Sequence, residues 1–355
     1  MPKRIAKTWC TLFLLVAMSF LSVTALASCG QQQAAEKEPT ESEAPATVAG
    51  QLAVRVSFPK GATSVGIASF ASKIAAGELE MPYVLAVAGT SDQISQALMD
   101  NRVDIAVLPP SAAAILYNQS KGEIKAVCVN ALGGATIVTG NKKVKSIEDL
   151  AGRTVYLTDE ASTSTAAFKR VLVAYGLADK VTLEYEDSPV DLAAQVKAEP
   201  KLIAVLPQPY AAVTVDDDGG IRQIADVSTL WDEKMVDGSR WIEGVVVVRD
   251  KFFKRQPDAV EDFIEQLAES SELAAKDPTT AIPTIVEMGI MSDAMATDLS
   301  IPACHPVCIQ GEDMRKALSG YLQVLYNEDP SLVGGVVPDG KFYYVPPAQD
   351  AEQAE

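Results

Sequence analysis

Cys304-His305-Pro306-Val307-Cys308 sets two thiols and the chain's single histidine within five residues. Thiolate and imidazole are soft ligands suited to zinc or Cu(I). Ligands crowded this tightly around a proline close a tetrahedron with difficulty, and the sequence nearby offers no fourth. Cys304, His305 and Cys308 are therefore weak metal candidates, and a local disulfide or a pair of buried reduced thiols fits better. Nucleophilic catalysis needs a base oriented by a third group, and one histidine without a placed acid does not compose that arrangement. Met288, Met291 and Met295 fall at i, i+3, i+7, a spacing that could handle copper but usually fills a helix core. Asp216-Asp217-Asp218-Gly219-Gly220 lacks the alternate-residue ligands and distal glutamate of a calcium loop and reads as a solvated turn. Gly133-Gly134 lacks the Lys-Ser/Thr that completes a phosphate loop.

A more specific signal lies at the start of the chain. Lys3, Arg4 and Lys7 precede an apolar run from Thr11 to Ala27 that closes at Leu26-Ala27-Ser28-Cys29-Gly30. Basic head, apolar middle and small-residue end are the pattern of an export signal rather than of a retained span. Leu-Ala-Ser-Cys looks like a lipobox, in which the Cys29 thiol is acylated and becomes the mature N-terminus. Each buried lipid CH₂ contributes about 0.8 kcal/mol, so several acyl chains on one cysteine hold a protein firmly at a membrane face. Residues 30–50 are rich in Gln, Glu, Ala, Pro and Thr and cannot bury enough surface to offset ordering, so they read as a tether. Residues 347–355 read as a disordered acidic tail.

The elements between are those of a globular protein. The chain has 355 residues, 48% hydrophobic, which suggests two domains rather than one. Its formal net charge is −17, which argues against nucleic acid or anionic lipid headgroups as partners. From residue 51 short apolar strands alternate with helical patterns such as Ile67, Phe70 and Ile74, the signature of parallel sheets covered by helices. Ile105-Ala106-Val107-Leu108-Pro109 recurs letter for letter as Ile203-Ala204-Val205-Leu206-Pro207, and each copy runs into an Ala-rich helix. Val54–Thr63 and Val155–Ser164 correspond in type, each a strand entering a Ser/Thr-bearing loop. Two related α/β lobes follow, with a cleft beyond their strand ends, ringed by helix N-termini.

Three segments carry a family resemblance: Asp104-Ile-Ala-Val-Leu-Pro-Pro-Ser, Ser146-Ile-Glu-Asp-Leu-Ala-Gly-Arg-Thr-Val and Ile203-Ala-Val-Leu-Pro-Gln-Pro-Tyr. The chain resembles the nitrate/sulfonate/taurine-type ABC transporter substrate-binding proteins, whose fold is shared by proteins that bind or make the thiamine pyrimidine. Gly244–Lys251 followed by Phe252-Phe253 is similar to that family's return crossing. The resemblance implies a two-lobed periplasmic-binding-protein type II fold, each lobe a mainly parallel sheet flanked by helices, with a two-strand hinge. It places lobe 1 at residues 51–136 and 247–346 and lobe 2 at 137–246. It further implies a monomer on the extracytoplasmic face of the membrane, without cofactor, that captures a small polar organic or anionic solute. An ABC permease and its ATPase would be its partners. A tethered sensor is the rival outside transport. A pyrimidine-type enzyme using Cys304, His305 and Cys308 is a further one, poorly suited to an exported chain.

Carried onto this sequence, the family's ligand contacts fall on Phe58, Lys60 and Thr63, on Thr90 and Ser91, and on Pro110 and Ser111. In the second lobe they fall on Ser162, Thr163, Gln208 and Tyr210, with Trp241 to Glu243 at the return hinge. Several have duller readings: Ser91 or Asp92 could cap a helix, as could Ser162 to Ser164, and Lys60 could be simply solvated. Gln208 is neutral where relatives often carry an acid, while Asp159 and Glu160 would suit a cation, so the ligand's charge stays open.

Overall fold

Val54, Val56 and Phe58 alternate along one strand, and all three are buried, so the chain begins by presenting one apolar face to a core. In the computed structural model residues 47–48, 51–216, 218 and 220–346 are described. The expected leader, Cys29, most of the tether and the tail 347–355 lie outside them. All described residues belong to one compact unit.

A two-residue ladder, β1 (Thr47–Val48) with β2 (Gln51–Leu52), precedes the first sheet. There follow β3 (Val54–Pro59), α1 (Ala68–Ala76), β4 (Tyr83–Ala88), α2 (Ser91–Met99), β5 (Ile105–Leu108), α3 (Pro110–Gln119) and β6 (Ile124–Leu132). The chain then crosses at Gly133-Gly134 into a second sheet. Its elements are β7 (Ala135–Thr139), β8 (Arg153–Thr158), α4 (Thr163–Ala174), β9 (Val181–Glu186), α5 (Pro189–Ala198), β10 (Ala204–Pro207), α6 (Tyr210–Thr214), β11 (Arg222–Asp226) and α7 (Val227–Lys234). It returns through β12 (Ile242–Arg249), α8 (Asp250–Arg255), α9 (Pro257–Lys276), α10 (Pro278–Glu287), α11 (Ser300–Ala303), β13 (Pro306–Ile309) and α12 (Gly311–Glu328).

The sheets run β13-β6-β12-β5-β3-β4 and β11-β7-β10-β8-β9. In the first, β3 pairs in parallel with β4 on one side and β5 on the other. In the second, β8 holds the same place between β9 and β10. The repeated pentapeptide thus forms β5 and β10, and each copy has an antiparallel crossing strand on its outer side, β12 or β7. The letter-for-letter echo reflects equivalent positions in two lobes. β12 pairs throughout with β5 and β6, so residues 242–246 lie in the first sheet rather than with the middle segment.

Helix periodicity supplies the cover. α9 buries Val260, Phe263, Ile264 and Leu267 against the first sheet, and α12 buries Met314, Leu318, Tyr321, Leu322 and Leu325. α12 packs on both α3 and α4, touching each lobe. The methionines do not form one helical stripe. α10 ends at Glu287, and Met291 is buried in the following turn, with Met288 and Met295 packed on the same core. Asp216 closes its turn by accepting hydrogen bonds from the Gly220 and Ile221 N–H groups. Among the described residues no helix is long and apolar enough to cross a membrane.

Candidate solute site between the lobes

Parallel pairing brings the ends of β3, β4 and β5 to one edge, Pro59 opposite Ala88, with Leu108 running into α3. In the second lobe β8 and β10 likewise end together, leading to α4 and α6. Ligands in open α/β sheets sit at such edges, where the strand order switches.

The two edges meet at Glu243. It stands at the start of β12, just beyond the end of β5, since Val245 pairs with Leu108. The Ser164 hydroxyl, in the first turn of α4, donates to Glu243 Oε1 at 3.2 Å and so links the lobes. Protein surrounds the Glu243 carboxyl without sealing it from solvent. This burial pushes its pKa up to about 7 against the opposing Ser164 hydrogen bond. Tyr321 from α12 stands beside it. Burial first, and then the Glu243 charge, hold the phenol well above its ordinary range, while the Thr163 and Trp241 side chains are close enough to oppose this. Among the described residues the Tyr321 hydroxyl and Trp241 Nε1 are buried without a hydrogen-bond partner. Such groups are costly unless something pairs with them.

Asn130, near the end of β6, adds an acceptor. Its Nδ2 donates to the Thr63 carbonyl at 2.6 Å, and because that carbonyl can only accept, the amide's orientation is fixed. Its Oδ1 then turns toward Gly244, next to Glu243, and is buried without a partner among the described residues.

The expected contacts divide into three groups. Thr163 and Trp241 join the Glu243 junction, and Thr63 reaches it through its carbonyl. Ser162 borders it but caps α4, accepting from Thr165 N–H at 3.1 Å. It also lines a cavity of about 340 Å³ with Lys169 and Glu328. A second group lies on the same strand edges. Thr90, rather than Ser91 or Asp92, caps α2 in a reciprocal pair with Gln93. Ser91, Ser111 and Tyr210 are half-buried in first helical turns, Pro110 is buried, and Lys60 is exposed. The third group is committed elsewhere. Phe58 is fully buried in the core with Phe70 and Phe263 and offers no surface to a solute. Gln208 spends its amide inside the second lobe, donating to Thr136 Oγ1 and accepting from Ala212 N–H. Asn130 and Tyr321 lie outside the contacts that the resemblance implies.

The Cys-His cluster does other work. His305 Nδ1 donates to the Gly133 carbonyl at 2.8 Å, and Nε2 lies 3.6 Å from Asp226 Oδ2, so the ring braces the first crossing. The Cys304 thiol donates to the Ser300 carbonyl, and burial pushes its pKa up to about 12. Cys308 instead neighbours Cys128, whose thiol hydrogen-bonds to it and is thereby held protonated. Of the two alternatives for Cys304 and Cys308, the structure has free thiols rather than a disulfide. Among the described residues no three His, Cys, Asp or Glu side chains gather as a metal site.

Two lobes of one topology, joined by crossing strands and meeting at a polar junction, define a periplasmic-binding-protein type II fold. Residues 75–194 match the family model described as "ABC transporter, phosphonate, periplasmic substrate-binding protein". An ABC transporter protein from Parabacteroides distasonis is 23% identical, with TM-score 0.69 over 84% of this chain and 99% of that one. The periplasmic aliphatic sulphonate binding protein SsuA of Escherichia coli is 16% identical, with TM-score 0.62 over 85% and 95%. The desulfurization enzyme DSZB is 14% identical, with TM-score 0.53 over 82% and 97%. No curated protein matches the chain. The chain is therefore similar in fold and in its matched segment to the substrate-binding proteins of ABC transporters of the phosphonate and sulfonate kind.

Proposed function

We propose that this chain is the lipid-anchored, extracytoplasmic solute-binding component of an ABC importer, and that it holds a small polar organic solute between its lobes. The observation that carries this reading is the Ser164–Glu243 hydrogen bond, which joins the strand-end edges of the two sheets beside unpaired polar groups. The fold also serves an enzyme, so fold alone does not decide against catalysis. The family-model match favours binding. A solute touching both lobes stabilises the closed arrangement by its differential affinity. Inverting a 1:99 ratio of closed to open forms takes about 5.5 kcal/mol, within reach of several buried hydrogen bonds.

Mass spectrometry of solute released from the purified protein tests this, combined with small-angle scattering before and after the solute is restored. We expect one dominant small solute and a smaller radius of gyration when it rebinds. A protein that yields no solute and keeps its dimensions in every solute tried would refute the clamp. The anchor rests on Cys29. Cys29→Ser is expected to move the protein from the membrane fraction to the soluble extracytoplasmic fraction, or to leave it as an uncleaved precursor. Unchanged lipid incorporation in that variant would exclude acylation at Cys29.

A further inference from the structure

We infer that the solute presents a basic nitrogen or an N–H edge, as in an amine, an amidine or an aminopyrimidine, to the Glu243 carboxylate. This rests on the clamp reading above and narrows it away from sulfonate or phosphonate heads that lack such a nitrogen. The junction sets two acceptors, Glu243 and Asn130 Oδ1, beside the Tyr321 and Trp241 donors, and no cation is among the groups that act on Glu243. Glu243 takes only the Ser164 hydroxyl, and Asn130 Oδ1 takes nothing among the described residues. Both therefore call for donors.

Among the described residues no basic side chain is bonded to Glu243 or to Asn130 Oδ1; Lys60, on the same strand edges, is exposed and bonded to neither. On α4, the helix that supplies Thr163 and Ser164, Lys169 is paired with Glu328 at 3.5 Å and Arg170 acts on Asp237. From α12 the junction receives Tyr321, a neutral phenol. Once Glu243 is ionised, a sulfonate or phosphonate beside it would meet a like charge with no cation bonded to the carboxylate, and like charges at close range disfavour one another. A protonated nitrogen would meet the reverse. The elevated pKa of Glu243 fits the same picture, because a carboxyl enclosed with only the Ser164 hydroxyl as partner resists ionising, and a cation or strong donor would favour its carboxylate form. The formal net charge of −17 favours the approach of cations over anions to the molecule as a whole. Tyr321 and Trp241 Nε1 remain to bind an acceptor on the same solute, consistent with a ring nitrogen or carbonyl beside the donor edge.

Equilibrium dialysis of the purified full-length protein in mild detergent tests this. The panel holds three classes of solute: primary amines and amidines, aminopyrimidines and related N–H heterocycles, and sulfonates and phosphonates without basic nitrogen. Enrichment confined to the nitrogen-bearing classes is the expected result. Glu243→Gln keeps an acceptor for Ser164 while removing the charge and turning one acceptor oxygen into an NH₂ donor, and should lower that enrichment at least tenfold with little change in melting temperature. Enrichment of the nitrogen-free anions would overturn the inference, as would undiminished nitrogen-class enrichment in Glu243→Gln. Should that variant not fold, the wild-type pattern still decides between the classes. A wild-type protein that enriches nothing would instead overturn the clamp itself, and this inference with it.

Discussion

Asp104→Ala is expected to destabilise the protein by about 3–5 kcal/mol, a fall on the order of 10 °C in Tm. Asp104 is buried just before β5 and holds two arginines. Arg55 grips it bidentately, Nε to Oδ2 and Nη2 to Oδ1, each at 2.8 Å. Arg249, at the end of β12, binds Oδ1 from the other side. Arg249 also donates to the Val103 carbonyl and to Asn101 Oδ1, so its guanidinium is fixed in place and cannot swing out to water. Removing the carboxylate leaves an enclosed cation without its counter-charge, which is the expensive way to break a buried ion pair. Burial alone would raise the Asp104 pKa, but the hydrogen bonds and charge of Arg55, with Arg249, outweigh it and hold the carboxyl below its ordinary range.

The sign of the pH dependence follows. A carboxyl depressed in the folded state contributes its full stabilisation above its unfolded value of about 3.9 and loses it as pH falls through the folded value. The stability gap between wild type and variant should be flat from neutral pH to about 5 and close below about 4. Urea unfolding across that range measures it. A gap under about 1 kcal/mol at neutral pH would mean that solvent reaches the arginines. Solute affinity should survive in the folded variant. Asp104 lies at the opposite end of β5 from Glu243, which stands two residues beyond the Leu108–Val245 pair, roughly 20 Å away along the strands.

Much of this architecture was legible in the residues, and the exceptions have physical causes. The IAVLP echo revealed two equivalent lobes because a strand flanked on both sides must be apolar along its length in either copy. The same property hid the second crossing. Gly244 to Val248 reads identically whichever sheet it joins, and only pairing with Leu108 and Val129 shows that it belongs to the first. Phe58 shares a strand face with Val54 and Val56, so strict alternation already assigned it to the core. Ser164 and Trp241 were readable from their places after a strand and before the return crossing. Asn130 left a faint trace, as the one amide in the apolar strand Ile-Lys-Ala-Val-Cys-Val-Asn-Ala-Leu. Tyr321 left none. It follows Leu318 and Ala317 on the buried face of α12, where an aromatic ring is ordinary core, and nothing in the spacing shows that its hydroxyl ends beside a carboxyl.

Gly133→Ala should reduce solute affinity at least about tenfold, equivalent to about 1.4 kcal/mol, and lower stability by about 1–3 kcal/mol through overpacking. A methyl at Gly133 would fall 2.0 Å from Trp241 Cδ2 and 2.5 Å from Cε2, so the indole must move. The backbone on either side cannot readily yield. Gly133 N–H donates to the Trp241 carbonyl at 2.9 Å, and its own carbonyl accepts from Ser228 Oγ and His305 Nδ1. The ring is therefore expected to rotate, carrying Nε1 away from Tyr321 and disordering the donor side of the junction. Gly134→Ala is the matched control on the same crossing. There the new methyl meets only the Ala303 carbonyl at 3.1 Å and the Gln208 side chain at 3.4 Å, contacts that small shifts relieve. Calorimetric titration of both variants with the solute released from wild type separates the two outcomes. Equal affinities would show that Trp241 takes no part in binding, while a loss in both would point to the flexibility of the crossing rather than to the indole. A loss confined to Gly133→Ala ties solute capture to the seat that one missing side chain leaves for Trp241.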